Sequence, residues 1–447
     1  MSFDNLNLNS PLKNALTDLG FSTPTPIQEM AFPIVMSGKD VVGLAQTGTG
    51  KTFAYLLPLL RQLKFSDQRQ PRILILLPTR ELVMQVIGEI EKLTKYMGLR
   101  YAGVYGGTNI NTQKKTVYAG LDIIVATPGR LIDLTMTGVL RLSSIQKLVI
   151  DEVDEMLALG FRSQTTQILE LLPAQRQSLM FSATLTEDVQ QLIKDFFTDP
   201  KWVEVGSKST PVDQISHKQY PIPNFNSKVN LLRLLLSEDT SMDKVLVFVP
   251  DKKTADRLFD HLDMDFTGKI AVIHSNKSQN YRFASLEKFQ IGSHRVLIAT
   301  DVASRGLDIS NISHVVNFNI PEIPEDYIHR TGRTGRVDKQ GIAINFVSEA
   351  DSELMGNIEN FIGFKIEEYP LPENLQISDE LMPDEIPTPL FDKDYLKMPT
   401  SPKPPKGAFH EKKDKNRKVN LGGPKKRNPK YGKPAKAPVL VKKKKNL

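Results

Sequence analysis

Residues 45–52 read Ala45-Gln46-Thr47-Gly48-Thr49-Gly50-Lys51-Thr52 and lie between the apolar run Val41 to Leu44 and a second apolar segment. A strand, a turn of small residues and a helix in this order are the context that a phosphate-binding loop requires. Small residues let backbone N–H groups close around phosphate oxygens, the Lys51 ammonium can reach the β and γ phosphates, and the Thr52 hydroxyl can ligate Mg²⁺. The generic loop has glycine where this chain has Ala45. The stretch predicts a nucleotide-binding α/β domain.

A second motif, Asp151-Glu152-Val153-Asp154, follows the apolar run Leu148 to Ile150. Open α/β sheets place their ligands at the carboxyl ends of the strands. There, Asp151 can hold Mg²⁺, partly through water, and Glu152 can orient or deprotonate an attacking water molecule. An acidic quartet by itself is more often a solvated loop. Its position after a strand and downstream of a phosphate loop favours the catalytic interpretation.

A third motif carries three arginines at a spacing of three residues, Arg330, Arg333 and Arg336, with glycines between them. The alternative is an exposed helix of ion pairs, but each glycine in a helix interior costs about 1 kcal/mol. Planar guanidinium groups can instead stabilise the negative charge that develops on a γ-phosphate. The motif therefore predicts arginines that act in phosphoryl transfer.

Short apolar runs alternate with helix-compatible segments in two series, which predicts two doubly wound α/β domains. The predicted strands are 41–44, 73–77, 123–126, 148–150 and 179–181 in the first series, and 245–249, 271–273, 296–299, 315–318 and 342–347 in the second. The predicted order is a first domain at 1–205, a linker at 206–214, a second domain at 215–370, an acidic proline-rich spacer at 371–400 and a basic tail at 401–447.

The positive charge of the chain is concentrated at its end. The net charge is +7, yet residues 401–447 contain 17 Lys or Arg and two acidic residues, and the preceding part carries −8. Dense like charge with few large apolar residues predicts a disordered polycationic arm that attracts polyanions such as RNA. The alternative is a solubilising tail without a specific role.

Composition also excludes several classes of function. The chain has no Cys, which excludes disulfides, thiolate metal sites and a catalytic Cys. The first twenty residues do not resemble a secretory signal, and the apolar run 53–60 is far shorter than the ~20 residues needed to span a bilayer. We therefore expect no membrane partner and a cytoplasmic location.

Together these motifs resemble those of the DEAD-box RNA helicases of superfamily 2, over roughly residues 1–370. The resemblance implies two tandem RecA-like domains, the cofactors ATP and Mg²⁺, and ATP hydrolysis coupled to local unwinding or remodelling of RNA without strong sequence preference. Among bacterial members, the chain is most similar to the RhlE-type group. Two alternatives stay open at this point, an ATP-gated RNA clamp or assembly platform and, less favoured, a DNA helicase.

The resemblance also implies a role for individual residues. For catalysis it implies Lys51, Asp151, Glu152, His329, Arg333 and Arg336, with Thr52 and Asp151 holding the metal. For nucleotide binding it implies, besides residues 45–52, Phe3, Phe21, Gln28 and Asp308. Gln28 would hydrogen-bond the adenine edge and Phe3 would stack on it.

The resemblance implies two further groups. Those that would contact RNA are Pro78, Thr79, Arg80, Gly107, Thr127, Gly129, Arg130 and Thr300. Those that would couple hydrolysis to RNA or join the domains are Asp154, Ser182, Thr184, Gln279, Arg282 and Arg305. Two positions depart from the family pattern: Val153 stands where most members have Ala, and Asn319 stands where Asp is usual. We expect Val153 to cause only small repacking, because its side chain carries no reacting group.

Overall fold

The computed structural model describes residues 2–45, 48–205, 215–304, 312–334 and 341–386. Some predictions fall outside these ranges. The site residues among them are Gln46, Thr47, Arg305, Asp308 and Arg336. The predicted linker 206–214 and the predicted tail 401–447 also lie outside the described residues.

The first domain is built on a parallel sheet in which seven described strands pair in the order β3-β4-β2-β5-β6-β1-β7. These strands are β1 (Val41–Leu44), β2 (Ile73–Leu76), β3 (Tyr101–Val104), β4 (Ile123–Ala126), β5 (Lys147–Ile150), β6 (Gln177–Ser182) and β7 (Lys201–Glu204). The helices are α1 (Ser10–Asp18), α2 (Pro26–Met36), α3 (Lys51–Gln62), α4 (Arg80–Leu93), α5 (Ile110–Ala119), α6 (Pro128–Met136), α7 (Val153–Ala158), α8 (Arg162–Leu171) and α9 (Glu187–Phe196).

The second domain repeats this plan with described strands in the order β10-β11-β9-β12-β13-β8-β14. Its strands are β8 (Ile215–Pro221), β9 (Val245–Val249), β10 (Ile270–Ile273), β11 (Val296–Thr300), β12 (His314–Asn317), β13 (Gly341–Val347) and β14 (Glu367–Glu368). Its helices are α10 (Phe225–Glu238), α11 (Lys252–Asp263), α12 (Gln279–Gln290), α13 (Asp301–Ser304), α14 (Pro324–Thr331) and α15 (Ser352–Ile362).

The central strands are short apolar runs that are buried on both faces, as parallel sheets require. Every residue of β2, β4 and β9 is buried. Two apolar clusters form on the first sheet, one containing Val41 and Ile75 and the other Val42 and Leu74, neighbours whose side chains point to opposite faces. The predicted α/β class with two doubly wound parallel sheets is confirmed.

Parallel pairing determines where the predicted site residues meet. All strands of a parallel sheet end at the same edge, so the loops after β1, β2, β4, β5 and β6 lie side by side. Each of these loops carries predicted site residues. No helix of the described residues is long and apolar enough to cross a membrane.

Residues 371–386, here called the strap, are packed along α10. Three asparagine side chains donate hydrogen bonds to strap carbonyl oxygens: Asn224 to Ser378 at 2.6 Å, Asn226 to Glu380 at 2.9 Å and Asn230 to Gln376 at 2.9 Å. The carboxylate of Glu385 accepts from the backbone N–H of Phe225 at 2.6 Å, at the first turn of α10. Apolar strap residues, Leu371, Leu375 and Met382, pack against the core of the second domain.

The strap belongs to the segment 371–400 that the sequence predicts as an acidic proline-rich spacer after residue 370. Its leucine and methionine side chains are partly buried against the second domain, and asparagine side chains donate hydrogen bonds to its backbone carbonyl oxygens. The packed second domain therefore extends to residue 386 at least.

We predict that the strap stabilises the second domain. A chain that ends at residue 386 should unfold at the temperature of the full chain, whereas one that ends at residue 370 should unfold roughly 5 °C lower, because apolar contacts and a helix cap are lost. Differential scanning calorimetry of the three chains measures this. Equal unfolding temperatures for the 370 and 386 chains would contradict a stabilising strap.

Candidate active site

In the phosphate loop, a glycine in the left-handed conformation lies directly before α3. Gly50 has φ 90°, a conformation that side chains other than hydrogen rarely adopt, and a Cβ there would lie 2.5 Å from Nε2 of Gln28. Lys51 follows as the first residue of the helix and is buried, and its Nζ makes no hydrogen bond within the described residues. A buried ammonium without a hydrogen-bond acceptor fits a phosphate group that would supply one.

Gln28 joins α2 to the phosphate loop. Its Oε1 accepts from the backbone N–H of Thr25 at 3.0 Å, and its Nε2 donates to the carbonyl oxygen of Gly50 at 3.1 Å. The same amide that was predicted to contact adenine thus also fixes the distance between the two elements. Because Gln28 bonds the carbonyl oxygen of Gly50, a contact between Gln28 and a base would couple base binding to the position of the phosphate loop.

The structure places Phe3, which was predicted to stack on adenine, in the core of the first domain. The Phe3 ring is only 7% exposed and belongs to the core cluster under α1 and α2. Phe21, by contrast, is 50% exposed and meets Phe53 edge to face, with 5.4 Å between ring centroids. A stacking partner needs an accessible face, so Phe21 is the better placed of the two predicted rings.

The acidic motif after β5 is deeply buried. Asp151, Glu152, Asp154 and Glu155 each keep less than a tenth of their surface exposed. Burial, followed by the nearby charge of Glu155, raises the pKa of Glu152 to about 8, and burial also raises the pKa of Asp151. The positive charge of Lys51 opposes both shifts. A pKa near neutrality suits a general base.

Backbone geometry aims Glu152 into the site. Glu152 has φ 52°, one of two left-handed residues other than glycine in the described chain, and its backbone N–H donates to Oδ1 of Asp151 at 2.9 Å. Strained conformations of this kind cluster at functional sites. Oε2 of Glu152 makes no hydrogen bond within the described residues, so it is available to a water molecule.

Asp154 links the acidic motif to the end of β6. Its Oδ2 accepts from the backbone N–H groups of Ala183 at 3.1 Å and Thr184 at 2.8 Å, and from the Thr184 hydroxyl at 2.9 Å. The Ser182 hydroxyl donates to the carbonyl oxygen of Thr184 at 2.7 Å. The predicted coupling residues of the first domain therefore form one connected group. Val153 is fully buried in the adjoining core cluster.

Within the described residues, side chains of the second domain contact two carboxylates of the first, Glu81 and Glu155. Arg282 of α12 lies 2.9 Å from Oε1 of Glu81, and Gln279 donates to the same oxygen at 3.4 Å. Nδ1 of His329 lies 3.7 Å from Oε1 of Glu155. Glu81 and Glu155 were not predicted as site residues, although each directly follows a residue that was. Both carboxylates contact residues of the second domain that are distant in sequence, and no local pattern indicates such contacts.

Arg333 reaches the acidic site from the second domain. It is 5% exposed, and its positive charge counteracts the increase in the pKa of Glu152. Because Lys51 and Arg333 belong to different domains, the positive charges around Glu152 come from both. The structure thus brings together five of the six predicted catalytic residues, and the sixth, Arg336, is not described.

Predicted RNA-contacting residues line the carboxyl edges of both sheets. Oγ1 of Thr79 accepts from the N–H of Leu82 and caps α4, and a Cβ at Gly107 would lie 2.8 Å from the Arg80 guanidinium. Arg130 is held by Gln113 at 2.8 Å and by the carbonyl oxygen of Thr108 at 2.9 Å. The remaining members lie just after strands of the first sheet or end a strand of the second: Pro78 two residues after β2, Thr127 directly after β4, Gly129 in the first turn of α6, and Thr300 at the end of β11.

Known protein families match both domains. Residues 25–192 match the model described as "DEAD/DEAH box helicase", and residues 227–338 match that described as "Helicase conserved C-terminal domain". The ATP-dependent RNA helicase RhlB of Pseudomonas syringae pv. tomato is 41% identical over 373 residues, which cover 81% of this chain and 93% of that protein. The chain belongs to the DEAD-box family of ATP-dependent RNA helicases.

Other relatives agree with this assignment. The ATP-dependent RNA helicase DbpA of Bacillus subtilis is 36% identical over 84% of this DEAD-box chain and 78% of its own length. Among solved structures, S. cerevisiae Dbp5 bound to RNA and ADP BeF3 superposes with a TM-score of 0.74 at 29% identity, over 83% of this chain and 96% of that one. Mss116p bound to ssRNA and AMP-PNP gives a TM-score of 0.74 at 27% identity, over 83% of this chain and 79% of that one.

The predictions of two RecA-like domains, of an ATP-hydrolysing RNA helicase, of ATP with Mg²⁺ and of RNA as partner are confirmed at the level of the family. The likeness to the RhlE-type group stays a prediction, since the relatives above are named RhlB and DbpA.

We predict that the ion pair between Glu81 and Arg282 is required for RNA-stimulated turnover. Glu81→Gln leaves a buried guanidinium without its counter-charge, and turnover at saturating RNA should fall at least about tenfold. Glu89→Gln, on the same helix and paired with the exposed side chain of Lys92, is the matched control and should change turnover less than twofold. Equal turnover for the two variants would contradict the prediction.

Proposed function

We propose that this DEAD-box protein hydrolyses ATP when ATP and RNA bind across the cleft between its domains, and that it thereby unwinds or remodels short RNA duplexes and ribonucleoproteins. The observation that carries the proposal is the meeting of two half-sites. Lys51, Asp151 and Glu152 come from the first domain, and His329 and Arg333 come from the second. Neither domain alone holds all the groups that phosphoryl transfer needs.

In the proposed reaction, Lys51 binds the β and γ phosphates, and Thr52 and Asp151 would hold Mg²⁺. The metal supplies charge neutralisation at the phosphate oxygens. Glu152 orients a water molecule and accepts one of its protons while the water oxygen forms a bond to the γ-phosphorus. The bond between that phosphorus and the β–γ bridging oxygen breaks, which gives ADP and phosphate. Arg333, together with Arg336, stabilises the charge on the transferred group.

RNA would bind along the carboxyl edges that carry Thr79, Arg80, Arg130 and Thr300. The backbone amides, hydroxyls and guanidinium groups there suit phosphates and 2′-hydroxyls rather than base edges, so we expect little sequence preference. Contact of one RNA strand with both domains favours the closed arrangement in which Arg282 pairs with Glu81. Closure would then assemble the catalytic site, and phosphate release would reopen it.

We further propose that residues 401–447 tether RNA and that the protein is cytoplasmic. The tether proposal rests on the charge of the segment, 17 basic against two acidic residues. The location rests on the shared presence of ATP and RNA in that compartment, and cell fractionation followed by immunoblotting tests it.

We predict that Glu152→Gln abolishes hydrolysis without abolishing ATP binding. Loss of the base should reduce RNA-stimulated turnover by about 10²- to 10⁴-fold, while the ATP dissociation constant stays within about threefold because Lys51 is unchanged. Glu187→Gln, an exposed residue in the first turn of α9, is the matched control. Turnover of Glu152→Gln close to that of the control would refute the proposed role of Glu152.

We predict a separate effect of the basic tail. Deletion of residues 401–447 should raise the RNA concentration for half-maximal stimulation and reduce the dependence of RNA affinity on salt, because fewer counterions are released on binding. Turnover at saturating RNA should be nearly unchanged. Titrations at several KCl concentrations measure this, and an unchanged salt slope after deletion would exclude the tether.

A further inference from the structure

The first arginine of the 330–336 motif does not face the phosphate site. Nε and Nη2 of Arg330 donate to the two carboxylate oxygens of Asp301 at 2.6 and 2.7 Å. Its Nη1 donates to Oδ1 of Asn317 at 3.1 Å and to the carbonyl oxygen of Asn319 at 2.9 Å, and the guanidinium lies 5.1 Å from the centroid of the Phe248 ring. Arg330 is therefore an internal anchor of the second domain. Asn319, the departure from the family pattern, supplies its backbone to this anchor.

Behind Arg330 lies a buried row of hydrogen-bonded side chains. Nδ2 of Asn317 donates to Oδ1 of Asn345 at 2.8 Å, and Nδ2 of Asn345 lies 3.2 Å from the hydroxyl of Tyr327. That hydroxyl lies 2.7 Å from Nδ1 of His217 on β8. Burial raises the pKa of Tyr327, so the hydroxyl keeps its proton and can donate it to the imidazole. Asn317, Asn345 and Tyr327 are all fully buried.

We propose that Arg330, Asn317, Asn345 and Tyr327, here called the polar row, are positioning residues that set the place of Arg333 in the catalytic cleft. The row starts and ends on α14, since Tyr327 and Arg330 are one turn apart on that helix. The asparagine pair comes from the adjacent strands β12 and β13. The sheet thus holds α14 at two points of the same face.

The backbone connects this helix directly to Arg333. α14 ends at Thr331, and the N–H of Arg333 donates to the carbonyl oxygen of Arg330 at 3.2 Å. The N–H of Thr334 likewise donates to the carbonyl oxygen of Thr331, and its hydroxyl donates to that of Ile312 at 2.6 Å. Because Arg333 lies in a turn that continues α14, any rotation or shift of this helix moves its side chain relative to Glu152.

Polar side chains suit this task better than apolar ones. An apolar interface tolerates small rotations of a helix, whereas hydrogen bonds weaken steeply with angle and distance. Buried groups that lose a partner have no water to replace it, so only one orientation of α14 satisfies the whole row. Small displacements of a catalytic group reduce rates strongly, and the row would prevent them.

The inference rests on the proposed role of Arg333, and the experiment separates the two. We would measure kcat and KM for ATP at saturating RNA for Tyr327→Phe and Asn345→Leu, each in the unchanged chain and together with Arg333→Ala, with unfolding temperatures recorded for every variant. Tyr220→Phe is the matched control, since Tyr220 is a buried tyrosine on β8 outside the polar row. Tyr327→Phe removes one oxygen only, which keeps the test available if Asn345→Leu does not fold.

If the polar row positions Arg333, kcat should fall about tenfold in each variant with KM for ATP within about twofold, and neither substitution should lower kcat further when Arg333 is already alanine. The variant Asn317→Leu with Asn345→Leu refills the space, so it should recover the unfolding temperature and not kcat. An unchanged kcat in Tyr327→Phe and Asn345→Leu would overturn the inference, as would equal losses with and without Arg333. If Arg333→Ala itself leaves kcat unchanged, the proposed role of Arg333 is wrong and the inference falls with it.

Discussion

Buried negative charge at the end of β5 is the constraint on which the rest of the site depends. Asp151, Glu152 and Glu155 lie close together with almost no access to solvent, and burial with mutual repulsion raises the pKa of Glu152 to about 8. Ionised carboxylates in such a place need nearby positive charge. The first domain supplies Lys51, and the second supplies Arg333. In the proposed reaction, the catalytic groups therefore come from two domains, and closing the cleft would change the electrostatic environment of Glu152.

Hydrogen bonds within each domain fix the elements that carry the predicted catalytic residues on both sides of the cleft. In the first domain, Gln28 fixes the phosphate loop to α2, and Asp154 fixes the acidic motif to the end of β6. In the second domain, Arg330 and the asparagine pair hold α14 on the sheet. Movement is then expected between the two domains. RNA bound along the carboxyl edges of both sheets can change their relative position. An RNA strand bound to both domains would change the position of Arg333 relative to Glu152.

The parts of the site that could be predicted are those that local sequence determines. The phosphate loop, the acidic motif and the central strands are short contiguous patterns, and parallel pairing brings their ends together. The strands that were not predicted, β3, β7, β8 and β14, lie at or next to the edges of the sheets, where partial exposure removes the continuous apolar run. The partnership of Asn317 with Asn345, the strap and the burial of Phe3 depend on contacts between distant residues, which no local pattern contains.

In the proposed cycle, binding of ATP and RNA together stabilises the arrangement in which the second domain completes the catalytic site. Because the chain has no Cys, Met136→Cys in the first domain and Met264→Cys in the second, both at highly exposed positions, would be the only labelling sites for a fluorescent donor and acceptor. Energy transfer between the labels should change when ATP and RNA are added together, and much less with either alone. The same efficiency with both ligands as with neither would contradict the account.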